Sequence, residues 1–168
     1  MGNRLSLLVG PLVVLLYAAV MVLTITVWDP AAAVPSLTYP EIIAGLNGAG
    51  ISVPAEVLAL IVWAYLGVGL ALVLSILGFT GHAGRGAVAV GHLALIVAGA
   101  PAYFWGSFSL GMDVADTFGV SGGDHTRLGG VLYAISGVAL LALVAVTFRM
   151  VTNRRPVRLR REKRRAEM

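Results

Sequence analysis

Four runs of apolar residues, none holding Asp, Glu, Lys or Arg, divide this chain: Leu5 to Val27, Val57 to Phe79, Ala87 to Trp105 and Leu128 to Phe148. The two middle runs flank one short polar turn, Thr80-Gly81-His82-Ala83-Gly84-Arg85-Gly86. A helix rises about 1.5 Å per residue, so each run is long enough to cross a hydrocarbon core of about 30 Å. The turn between the middle runs only has room to reverse the chain. The pattern predicts an all-α membrane protein, a bundle of four transmembrane helices over residues 5–27, 57–79, 87–105 and 128–148. Outer loops fill 28–56 and 106–127. The bundle ends at 149, and 150–168 forms a tail.

Local signals refine the ends. Trp28-Asp29-Pro30 is read as the end of span one, because Pro30 lacks an N–H to continue a helix and Trp28 suits an interface. Pro11 predicts a kink near the start of that span. The apolar run of span one exceeds the 7–15 residues of a secretory signal, which predicts a retained span. In the first loop, Pro40 to Gly48 predicts a short surface helix, with Pro in its first turn, Glu41 near its positive end and Asn47-Gly48 at its exit. Its Ile42, Ile43 and Leu46 share a face that would lie on the bilayer or cap the bundle. Ser52 or Val53 caps span two. Tyr103, Phe104 and Trp105 read as an aromatic belt. Small residues recur at three- and four-residue intervals in span two (Gly67 and Gly69 with Ala71) and span three (Gly91, Ala94, Ala98, Gly99 and Ala102), which lets helices approach closely in lipid.

Composition agrees with this picture. Of 168 residues, 58% are hydrophobic and only 12% charged, where a soluble domain carries roughly 25% charged residues. Cysteine is absent, which excludes disulfides, thiolate metal sites and Cys nucleophiles. The Ala/Gly/Val/Arg-heavy composition resembles that of a bacterial plasma-membrane protein.

Charge sets the orientation. With the N-terminus inside, the inner segments hold eleven of the twelve Lys+Arg, against Glu162 and Glu167. The outer loops then hold Asp29, Glu41, Glu56, Asp113, Asp116 and Asp124 against Arg127 alone. Positive charge sorts to the cytoplasm, so both termini are expected there. The tail residues Arg154, Arg155, Arg158, Arg160, Arg161, Lys163, Arg164 and Arg165 follow span four closely and lack interleaved aromatics. They predict contact with anionic lipid headgroups rather than nucleic acid, at roughly 1 kcal/mol each.

Few residues carry chemistry. His92 is the one ionisable side chain well inside a span, about 8 Å beyond Ala87. His82 and His125 lie at other depths, so a haem held by two His is not expected, and a neutral His bonded within the bundle is. Asp113 and Asp116, if helical, share a face, and Asp124, His125 and Arg127 follow. Such a group could hold a cation or act as an acid/base pair; solvated loop charge is the plainer reading. Val114-Ala115-Asp116-Thr117 loosely resembles the Ala-Asp segment of lipoprotein signal peptidases. The chain lacks the rest of that pattern, having no Asn-x-x-Asp with a following Arg in or after span three and no Asp-Gln-x-x-Lys after span one. The assignment is therefore not made. Trp63 and Tyr65 lie early in span two, with Trp63 about 10 Å in from Glu56 and deeper than an interfacial belt; packing under the Pro40 helix is the ordinary explanation, and a lipid or quinone groove the other.

No cofactor is expected. The reading is a non-catalytic accessory or structural subunit that packs against other membrane proteins or itself. A small oligomeric transporter using His92, and a membrane enzyme using Asp113 and Asp116, are the alternatives.

Overall fold

In the computed structural model the backbone is described for residues 2–166 and the side chains for residues 7–152. Six α-helices and one π-helical segment make up the fold, with no strand among the described residues. α1 (Gly2–Leu23) passes through the π segment Thr24–Trp28 into α2 (Asp29–Ala33). α3 (Tyr39–Gly48) and α4 (Val53–Phe79) follow, then α5 (Arg85–Phe118) and α6 (Leu128–Ala166). Four of these stretches are long and apolar enough to cross a membrane: Leu7–Ala33, Val53–Phe79, Arg85–Phe118 and Leu128–Thr152. α1 and α5 form the middle of the fold. α4 packs chiefly on α1, and α6 chiefly on α5. Of the four spans α1 is the most buried and α4 the least.

Span one does not stop at Trp28-Asp29-Pro30; it runs on to Ala33. A proline inside an α-helix collides with the carbonyl four residues back. Here the register widens first: the Asp29 N–H reaches the Thr24 carbonyl, five residues back, and Pro30 then falls in the first turn of α2, where no N–H is required. Thr24 and Thr26 turn their hydroxyls back onto the carbonyls of Val20 and Val22, both at 2.8 Å. Such back-bonding bends a helix locally.

Pro11 is answered in another way. Its missing N–H leaves the Leu7 carbonyl without a helical donor. Ser75 of α4 supplies one, its hydroxyl donating to Leu7 O at 2.8 Å. Within a bilayer an orphan carbonyl is costly, so this bond fixes where α4 meets α1.

α5 runs on past the expected end of its span at Trp105, to Phe118. Its Ser, Gly and Asp content reads as loop, yet Leu110 and Val114 stand four apart and are both buried. That spacing is a helical one. Gly106 lies where a side chain would collide with Leu60 and Ile25, so this glycine serves close packing rather than a turn. The helix stops at Gly119, whose left-handed backbone sends its N–H to Ala115 O at 2.8 Å.

α3 packs inward. Ile42 and Leu46 are fully buried, and Gly45 admits the Phe118 ring from the end of α5. Its start is tied by Glu41, whose Oε2 accepts from both the N–H and the hydroxyl of Thr38, each at 2.7 Å. The hydroxyl bond first, and the amide bond second, hold the Glu41 carboxyl below its usual pKa. A folded pKa below the unfolded one gives stability that is full above the unfolded value and lost as pH falls through the folded value. The Thr38 amide is therefore expected to lose hydrogen-exchange protection as the pH drops below about 4. Glu41→Gln is expected to flatten that dependence; an unchanged acid limb in the variant counts against this cap.

The backbone of α6 continues through Pro156 to Ala166. One proline costs a single bond, and the surrounding Arg, Lys, Glu and Ala are strong helix formers. The side chains of Arg154, Arg155, Arg158, Arg160, Arg161, Lys163, Arg164 and Arg165, to which lipid contact was ascribed, lie outside the described residues.

Candidate functional site

Polar side chains inside the fold gather at three places. The first surrounds His92 of α5, which is buried. Its Nε2 lies 3.0 Å from the Ala71 carbonyl and 3.3 Å from the Ser75 hydroxyl, both on α4. A carbonyl can only accept, so Nε2 carries the proton and donates. Ser75 in turn donates to Leu7 O, so one chain of bonds joins α5, α4 and α1 at the carbonyl that Pro11 leaves free. A side chain at Gly10 would run into the His92 ring, 2.5 Å from Nδ1. The imidazole is thus enclosed and engaged in holding helices.

The second place is a smaller link in the same middle layer. Tyr17 of α1 shares a hydrogen bond of 3.0 Å with Ser136 of α6, and Ser136 donates to the Ile96 carbonyl of α5 at 2.8 Å.

The third place is the acidic end of the fold, where α2, the start of α4, the end of α5 and the start of α6 meet. Two separate groups form there. In one, the Tyr103 hydroxyl sits between two carboxylates, 3.0 Å from Asp124 Oδ1 and 3.3 Å from Asp29 Oδ2. Asp29 Oδ1 also accepts the Thr126 backbone N–H at 2.8 Å, which ties α2 to the start of α6. Gly129 makes this approach possible: a side chain there would meet the Asp124 carboxylate and the Tyr103 hydroxyl. The Tyr133 ring stands edge-on to Tyr103 at 5.4 Å. Beside this group lies a cavity of about 20 Å³, lined by Asp29, Asp124, His125, Ser107 and Ser121 among others. That is room for one water molecule.

In the other group, Glu56 at the start of α4 meets Asp113 of α5. Ser109 points its hydroxyl at Glu56 Oε1 from 3.5 Å, too far to satisfy it fully. Glu56 Oε2 is buried and has no hydrogen-bond partner among the described residues.

The predicted outer-loop residues are therefore divided. Asp113 and Asp116 are both helical, but Asp113 is paired with Glu56 while Asp116 is exposed and belongs to neither group. Asp124 joins Tyr103 and Asp29. His125 is exposed and its Nε2 is bonded to the Ser121 carbonyl at 2.8 Å. Among the described residues no three His, Asp or Glu side chains converge as a metal site. The belt of three aromatics also splits: Phe104 and Trp105 are exposed, but Tyr103 is fully buried. A hydroxyl needs a partner inside the fold, and the two aspartates draw it inward.

The chain matches no protein-family profile, no curated protein and no solved structure. The geometry therefore stands alone. Sequence reasoning missed Asp29, Glu56, Tyr103 and Ser75 as members of polar groups. Only Ser75 left a trace: a free carbonyl created by Pro11 in one span implies a donor in another.

Proposed function

We propose that this small integral membrane protein is a non-catalytic accessory or structural subunit of the plasma membrane, with both termini cytoplasmic, packing against larger membrane partners. Four apolar helices are compatible with a small integral membrane protein. The observation that carries the rest is the outward face of α6. Gly130, Ala134 and Gly137 stand at four- and three-residue steps on it, all exposed, and side chains added at either glycine would meet nothing. Small residues without an internal reason, on a membrane helix, suit close approach by another helix. The internal polar groups, by contrast, join this chain's own helices. The excess of Lys and Arg in segments assigned to the cytoplasm supports the orientation. The basic tail suits anionic headgroups there.

Affinity purification from native membranes in mild detergent, with mass spectrometry of co-eluting proteins, tests this. A membrane partner at fixed stoichiometry is expected. Gly137→Leu is expected to release that partner at least tenfold while leaving the isolated chain as stable as before, because the position is open. A chain that elutes alone from native membranes removes the reading.

A further inference from the structure

α4 is fastened near its two ends. Its buried residues are Val53, Ala71 and Ser75, so none between Pro54 and Leu70 is buried. At the far fastening the Ala71 carbonyl takes the His92 bond and Ser75 donates to Leu7 O. At the acidic end Glu56, in the first turn of α4, meets Ser109 and Asp113 of α5. Between these fastenings, hollows of about 370 Å³ and about 290 Å³ open along the seam of α4 with α5. Glu56 precedes the apolar run that starts at Val57, and Asp113 follows the one that ends at Trp105. Both carboxyls therefore lie outside the apolar spans, in reach of water.

We propose that Glu56 and Asp113 share one proton, and that this proton is a pH-sensitive clamp: with it the start of α4 is held on α5, and without it the two carboxylates push the helices apart. The chemistry follows from the groups present. When ionised, both side chains are acceptors only, and like charges this close oppose each other. Glu56 Oε2 is buried and has no partner among the described residues. The Ser109 hydroxyl, 3.5 Å from Oε1, is too distant to serve as a full donor. One proton taken from water turns one carboxyl into a donor to the other, and the bond it makes is charge-assisted. That single proton removes the repulsion and completes the contact.

The surroundings leave this duty to the proton. No Lys, Arg or His lines the hollow that ends at Glu56. Asp113 is the charged group that faces it from α5. α1 carries no charge from Leu5 to Val27, and its Tyr17 is bonded to Ser136. The one charged residue of α3, Glu41, is bonded to Thr38. Asp29 and Asp124 belong to the Tyr103 group, His125 is bonded to the Ser121 carbonyl, and Asp116 is exposed. Burial first, and Asp113 second, push the Glu56 carboxyl up to about 7. A folded value above the unfolded one gives a contact that is complete below the unfolded value of about 4 and lost as the pH rises through the folded one. The clamp is thus closed in mild acid, half released near neutrality and open in alkali.

The test uses the full-length chain in detergent, with thermal unfolding checking that each variant is folded. Infrared spectra read the proton itself. At about pH 6, where free carboxyls are ionised, the native chain is expected to show the C=O stretch of a protonated carboxyl. Glu56→Gln and Asp113→Asn are each expected to abolish that band, because the proton needs both partners. The clamp is read across the seam. The chain has no cysteine, so Leu58→Cys/Phe108→Cys, both at exposed positions, takes one pair of spin labels. Their short-distance population is expected to fall by half near pH 7. It is expected to be lost by about pH 9, well above the ordinary carboxyl range. Glu56→Gln, whose amide donates what the proton donated, is expected to keep that population at every pH. A band lost in one variant but not in the other, or in neither, overturns the proposal. So do label distances that ignore pH in the native background, or that still follow pH in Glu56→Gln.

Discussion

Tyr103→Ala is expected to destabilise the fold by about 3–5 kcal/mol, the range for removing a buried aromatic ring. Tyr103 is fully buried and is among the largest side chains to be so. It stands where α5 passes α2 and the start of α6, and its hydroxyl reaches both Asp29 and Asp124. Truncation opens a cavity and leaves the two carboxylates near each other with that donor gone. Tyr103→Phe separates the effects: the ring stays, the hydroxyl goes, and a loss of about 1–3 kcal/mol is expected for carboxylates robbed of a donor. Unfolding in mixed micelles, followed by circular dichroism, gives both numbers. If Tyr103→Phe unfolds with the native chain, the hydroxyl is not holding the aspartates and the account of the acidic end fails. If the two variants are equally damaged, the ring itself contributes little.

The helical spans were legible in the sequence because lipid demands uninterrupted apolar runs, and those runs survive any detail of packing. What was illegible falls into two kinds. Some of it is local but masked. Ser107 to Phe118 carries the composition of a loop, while its helical signal is just Leu110, Val114 and Phe118, too sparse to outweigh the glycines and aspartates around them. Pro30 likewise reads as a stop until the π register that precedes it is known. The rest is not local at all. Asp29 and Tyr103 are 74 residues apart, and Glu56 and Ser109 are 53 apart. Nothing in either segment names the other, so Asp29 read as loop charge and Tyr103 as part of an interfacial belt. His92 lies between these kinds. Its depth was legible, and its bonded role was the plainer expectation, but its partners became nameable only once the carbonyl freed by Pro11 was traced to Ser75.

The glycines carry the sharpest remaining test, because the same residue type has opposite duties at different positions. Gly99 of α5 receives the Tyr17 ring of α1; a side chain at that position would overlap it. Tyr17 cannot simply swing away, since its hydroxyl is bonded to Ser136 at 3.0 Å. Gly99→Leu is therefore expected to cost about 1–3 kcal/mol or more, by forcing α1 and α5 apart or by breaking the Tyr17–Ser136 bond. Gly130→Ala and Gly137→Ala face open space. They are expected to leave stability unchanged or to raise it by up to about 1 kcal/mol, from helix propensity alone. Unfolding of the three variants in one detergent measures the contrast. It also separates packing within the chain from packing between chains, because only the second can be lost in native membranes by a variant that is sound in detergent. A Gly99→Leu protein as stable as the native chain would mean that α1 and α5 do not meet at Tyr17. The middle layer of the fold, on which the His92 link rests, would then be wrong.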